Sequence, residues 1–229
     1  MGQSWFRRRR SYDRGRSLAK AAQARAKGRT RSAIEHYREV LDHEPHDPDV
    51  HRRIAPLLVA ARQPDEAWQS YRIAYRGLVR AGFLEHAVGV LREAAGGLHR
   101  REVWEELAEI ERERGRPADA HRALLEGRRA FGARADRGDA IRLLLAARRL
   151  APGHFEANCD LARLLARSGA VEPAERILLG LAAQATLPQQ RRCRALLFRA
   201  RPGPSTLWRW IKSMRPQGAS LGLARTRNV

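Results

Sequence analysis

Trp104-Glu105-Glu106-Leu107-Ala108-Glu109-Ile110-Glu111-Arg112-Glu113-Arg114-Gly115-Arg116-Pro117-Ala118-Asp119-Ala120-His121-Arg122-Ala123-Leu124 carries the pattern from which the rest of the chain is read. Trp104, Leu107 and Ala108 stand at helical spacing, Gly115 marks a turn, and Ala120 and Leu124 lie one helical turn apart beyond it. A small residue on one helix that receives a large residue of its neighbour lets an antiparallel pair pack closely.

The second half of this pattern, an alanine followed four residues later by a large apolar residue, recurs along the chain. Its instances are Ala33/Tyr37, Ala67/Tyr71, Ala87/Leu91, Ala120/Leu124, Ala140/Leu144 and Ala174/Leu178. Successive alanines are separated by 34, 20, 33, 20 and 34 residues. The first half recurs as Ile54, Ala55, Leu58 and as Leu161, Ala162, Leu165, with turn glycines at Gly28, Gly82 and Gly169. Aromatic residues make up only 6% of the chain while Ala, Leu and Arg dominate, a composition for close helix packing and a poor one for a sheet core.

A spacing near 34 residues built of helix, turn and helix resembles the tetratricopeptide repeat family over residues 14 to 200. The resemblance implies an all-α, right-handed superhelical solenoid of antiparallel helix pairs. About eleven helices are expected: 16–27, 31–43, 48–61, 65–80, 83–96, 101–114, 117–131, 136–150, 155–168, 171–184 and 188–200, the last a cap. The two 20-residue steps are too short for a helix pair, so 65–80 and 117–131 each serve two neighbours. Pro56 lies within 48–61 and predicts a bend or a shortened helix there. Residues 1–15 and 201–229 are read as basic tails flanking a repeat domain of residues 16–200.

Charge is concentrated in those ends. Residues 1–31 hold eleven Lys/Arg against Asp13 alone and residues 181–229 hold ten against no acid, while the stretch between balances 24 with 24. Trp5, Phe6, Arg7, Arg8, Arg9 and Arg10 at one end, and Trp208, Arg209, Trp210 and Lys212 at the other, combine aromatics with cations as candidate anchors. Ser205–Arg215 predicts a short helix with Leu207, Trp208, Ile211 and Met214 or Arg215 along one side. Such ends suit docking on the solenoid or an acidic protein, an anionic membrane surface, or nucleic acid. No run approaches the roughly 18 apolar residues of a membrane span. The basic N-terminal cluster lacks an apolar stretch behind it, which points to the cytoplasm or the inner face of a membrane.

In the resembled family the first helix of each pair lines a concave groove that takes protein segments. Carried onto this chain, the groove candidates are Arg52, Glu102, Glu105, Glu109, Arg112 and Arg163. The family's clamp for a terminal carboxylate needs Lys and Asn where this chain has Leu18/Ala22, Arg52/Pro56, Glu105/Glu109 and Cys159/Arg163, so that clamp is not expected. Glu102, Glu105, Glu106, Glu109, Glu111 and Glu113 form an acidic run that takes either a basic peptide or, more plainly, solvent, balanced by Arg112 and Arg114. Asp42, His43, His46, Asp47, Asp49 and His51 are ligand types, but Pro45 and Pro48 mark an inter-repeat turn. Cys159 and Cys193, one repeat apart, are read as packing thiols on stacked helices. No phosphate loop, zinc spacing or serine elbow appears, so neither enzyme, cofactor nor small-molecule substrate is expected. The leading expectation is a scaffold for a protein or peptide partner, with a nucleic-acid-associated protein as the alternative.

Overall fold

The computed structural model describes residues 12–214, and among them it is all helical. Twelve helices follow in order: α1 (Arg14–Ala26), α2 (Thr30–Leu41), α3 (Pro48–Ala60), α4 (Pro64–Arg80), α5 (Leu84–Gly97), α6 (Arg101–Glu113), α7 (Pro117–Ala130), α8 (Arg137–Leu150), α9 (Phe155–Arg167), α10 (Val171–Gln184), α11 (Leu187–Ala200) and α12 (Pro204–Met214). The chain divides into two compact units between Ala123 and Leu124. In the first unit α1 packs on α2, α3 on α4, α4 on α5 and α5 on α6; in the second α8, α9, α10, α11 and α12 pack in succession. Within each unit this is a solenoid arrangement of helix pairs, in which consecutive helices bury one stripe against their chain neighbours.

One local device repeats. Gly28, Arg62, Gly82, Gly115 and Gly169 all adopt positive φ, and each stands five residues before one of the anchor alanines. The following N–H reaches back to a carbonyl five residues earlier: Arg29 to Ala24, Gln63 to Leu58, Phe83 to Leu78, Arg116 to Glu111 and Ala170 to Leu165, all at 2.8–2.9 Å. This closure satisfies the last carbonyls of the first helix and reverses the chain within three residues. The reversal delivers Ala33, Ala67, Ala87, Ala120 and Ala174 fully buried at the second helix. Four of the five positions are glycine because a Cβ is strained there; the fifth, Arg62 at φ 58°, carries that strain.

Beyond the eleven helices expected for the repeats, α12 is the short helix expected over Ser205–Arg215, and it opens one residue earlier, at Pro204. Proline is tolerated in the first turn of a helix, where its missing N–H has no partner to lose. Thr206 Oγ1 donates to the carbonyls of Arg201 and Gly203 at that start. Pro56 does not interrupt α3, which runs unbroken from Pro48 to Ala60. Burial of Ile54, Ala55 and Leu58 on the face of α3 that meets α4 offsets the hydrogen bond lost at Pro56. Glu111, expected with its neighbours on a solvated face, is only 2% exposed. Its carboxylate accepts from Arg114 Nη1 at 2.7 Å, with Arg92 3.9 Å away.

Candidate protein-interaction site

α4 fills the two roles that the 20-residue step requires, packing on α3 along one side and α5 along another. Its apolar stripe, Ala67, Trp68, Tyr71, Ala74 and Tyr75, is buried, with Trp68 stacked on Tyr75 at 6.4 Å. Two roles leave only one open face, and on it stand Gln69, Arg72, Arg76 and Arg80. With His46 and Pro48 they border a trough of about 700 Å3 whose lining contains no carboxylate. Gly77 belongs to the same wall; a Cβ there would lie 2.7 Å from Pro48 Cβ, so its absence lets α4 close on the start of α3.

The three arginines are held differently. Arg76 Nε donates to the Tyr75 hydroxyl at 3.2 Å, its guanidinium lies 5.9 Å from the Tyr75 ring centre, and Nη2 is 3.6 Å from Glu106. Burial pushes the Tyr75 phenol up to about 12, so it stays protonated across the ordinary pH range. Arg72, half-buried, and Arg80, exposed, have no ion pair or side-chain hydrogen bond among the described residues. Like charges at four-residue spacing destabilise a helix by about 0.2–0.5 kcal/mol per pair, a cost that an anionic occupant of the trough would relieve.

The acidic run expected to face a partner is largely engaged within its own helix. Glu105 and Glu102 both take Arg101, the latter at 3.0 Å, and Glu109 takes Arg112, with Nε at 3.0 Å. Arg112 beside Glu109 holds that carboxyl below its usual range. Arg52 stands exposed on α3. Arg163 reaches Asp160, which also accepts from Arg128 at 2.8 Å, and borders a second cavity of about 480 Å3 with Arg129, Arg192 and Cys159.

The polar knot proves to be a helix start. Asp47 caps α3, accepting from the N–H groups of Asp49 at 2.9 Å and Val50 at 3.1 Å, and pairs with Arg14. Burial raises its carboxyl, but these donors outweigh burial and hold it below the usual carboxylate range. His51 lies buried between Ser70 Oγ at 3.2 Å and the Pro45 carbonyl at 2.9 Å, and His43 stacks on Tyr12. Cys159 and Cys193 are both buried and adjacent, on α9 and α11. Trp210 stacks on Phe198 with ring centres 5.5 Å apart, while Trp208 and Lys212 are exposed. Arg209 lies on α12, its side chain outside the description, and Trp5, Phe6, Arg7, Arg8, Arg9 and Arg10 lie outside the described residues.

Sequence reasoning missed the arginine face because it assigned groove positions only to α3, α6 and α9. The signal was available: Gly82 before Ala87 makes residues 68–80 the first helix of a further repeat, whose groove-facing positions are then Gln69, Arg72, Arg76 and Val79.

No curated protein matches the chain in sequence. Similar solved structures include nearly identical TPR-like repeats of a putative kinesin light chain from Podosopora anserina, at 15% identity and TM-score 0.40, covering 87% of this chain and 92% of that one. PilW, a type IV pilus biogenesis factor, is similar at 12% identity and TM-score 0.37, covering 86% and 90%. A thermophilic TPR protein of Thermus thermophilus aligns at 16% identity and TM-score 0.29, covering 88% and 98%. Residues 24–69, which span α2 and α3 with the adjoining parts of α1 and α4, match the tetratricopeptide repeat family model. That match lies inside a run of helix pairs closed by five turns of one kind, so residues 24–69 are a tetratricopeptide repeat segment of the chain.

Proposed function

We propose that this chain is a non-catalytic scaffold that holds an acidic, extended segment of a partner protein against the arginine face of α4. The observation that carries the reading is the trough between Arg72, Arg76, Arg80 and His46, lined by no carboxylate, in which Arg72 and Arg80 have no partner among the described residues. Arginine suits this role because its planar fork grips carboxylates in pairs and its charge persists at every physiological pH. The length of the stripe, two helical turns or about 11 Å, matches three to four residues of extended chain.

The test is affinity capture from native lysate by the full chain and by its Arg72→Glu/Arg80→Glu variant, with the captured protein mapped for the segment it uses. The proposal expects one protein to be lost with the variant, contacted through a segment rich in Asp and Glu. Equal capture by both proteins, or a captured segment rich in Lys and Arg, overturns it.

A further inference from the structure

α12 leaves three large apolar side chains in water although its other flank is docked. Residues advance by about 100° around a helix, so Leu207, Ile211 and Trp208 fall within one arc of about 100°, with Lys212 at its edge. Their exposures are 38%, 41% and 59%, so three of the seven large apolar side chains exposed among the described residues share one helix of eleven residues. Trp210, outside that arc, lies against α11 in its stack on Phe198. α12 is thus fixed on one flank and bare on another. The bare flank is not the remainder of a core contact.

Charge narrows what covers it. The last acidic residue of the chain is Glu175, and residues 181–229 contain ten bases. A second copy of this chain would bring the same excess of positive charge to the same surface, since only Arg192 and Arg201 of these bases pair with a carboxylate among the described residues. Nucleic acid would satisfy the cations and stack on Trp208, but Leu207 and Ile211 would gain nothing from phosphates or sugars. An anionic lipid bilayer satisfies both parts: aliphatic and indole groups enter the headgroup boundary, and Lys212 at the edge meets anionic headgroups. Indole also favours that boundary over either water or hydrocarbon.

We propose that α12 is an interfacial anchor that lays Leu207, Trp208 and Ile211 into an anionic membrane surface, with the helix axis parallel to the bilayer. Binding is reversible, because three side chains and a few cations fall well short of a spanning segment. The anchor belongs to the second unit and the trough to the first, so the two sites fail independently.

Flotation of the full chain with phosphatidylcholine vesicles, and with vesicles containing about 30% phosphatidylglycerol, tests it. The expected result is flotation with the anionic vesicles only, reversed by high salt, and a partition at least about tenfold weaker for Trp208→Ser/Ile211→Ser. Circular dichroism and retained Trp210 burial confirm that the variant stays folded, and the basic N-terminal residues are unchanged in both proteins. Equal flotation of the two proteins overturns the proposal and leaves the basic residues elsewhere as the only attraction. It is also overturned if the double substitution instead lowers the mass of the free chain in sedimentation, which would assign the patch to self-association, or removes binding to a single-stranded oligonucleotide and not to vesicles.

Discussion

Glu111→Ala removes one partner from the buried ion pair near the end of α6. The Glu111 side chain is 3% exposed and that of Arg114 7%, at 2.7 Å, so truncation leaves a guanidinium that water reaches poorly. Removing one member of a buried pair costs about 3–5 kcal/mol. Arg114 retains contact with Glu85, itself exposed to solvent, which sets the expectation near 3 kcal/mol, the lower end of that range. Glu109→Ala, two residues earlier, breaks a pair whose members are 49% and 55% exposed and should cost less than about 1 kcal/mol. Urea unfolding followed by circular dichroism measures both, with the denaturant slope checked for constancy so that the midpoint shift reports stability. Glu111→Leu/Arg114→Met should return to within about 1 kcal/mol of the original protein, because the penalty belongs to the orphaned charge. Similar losses for Glu109→Ala and Glu111→Ala would refute the reasoning.

The turn device makes a paired prediction: Gly82→Ala loses about 1 kcal/mol in the same unfolding assay, whereas Arg62→Gly is neutral or gains up to about 1 kcal/mol, since only the former puts a new Cβ at positive φ. Burial lowers the pKa of His51 from its ordinary 6.5. The unfolded chain therefore takes up a proton first as pH falls below about 6.5, so His51 contributes stability above that pH that is lost below it. Thermal melts at pH 7.5 and 5.5 should show a fall for the original protein that His51→Gln reduces. Cys159 and Cys193 should resist a thiol reagent in the folded protein and react together in denaturant, because both are buried on adjacent helices.

The helix-pair architecture was legible because two signals coincide in the sequence: alanine-centred packing and a glycine five residues upstream. Four turns announced themselves by glycine; the turn at Arg62 did not, because the closing hydrogen bond from Gln63 to Leu58 holds the arginine in a conformation that its type does not favour. Pro56 sits inside a helix that continues through it, where burial of Ile54, Ala55 and Leu58 offsets the backbone donor that the proline lacks. The burial of Glu111 was illegible among six similar acids. Only the spatial approach of Arg114 and Arg92 distinguishes it from Glu109. The arginine face of α4 was hidden by the overlap of two repeats on one helix, which leaves the period intact but obscures which face remains open. At α12 the composition was plain, and only the stack of Trp210 on Phe198 shows which apolar side chains are left over.

The most direct measurement is fluorescence anisotropy of a labelled Asp/Glu-rich peptide titrated with the full chain, with Arg72→Glu/Arg80→Glu and with Glu105→Arg/Glu109→Arg. The account predicts salt-sensitive binding that weakens at least about tenfold with the arginine reversal and holds or strengthens with the glutamate reversal, with a basic peptide of equal length left unbound. Binding of the basic peptide, lost on reversal of Glu105 and Glu109 and indifferent to Arg72 and Arg80, would contradict the account and move the partner to the acidic face of α6.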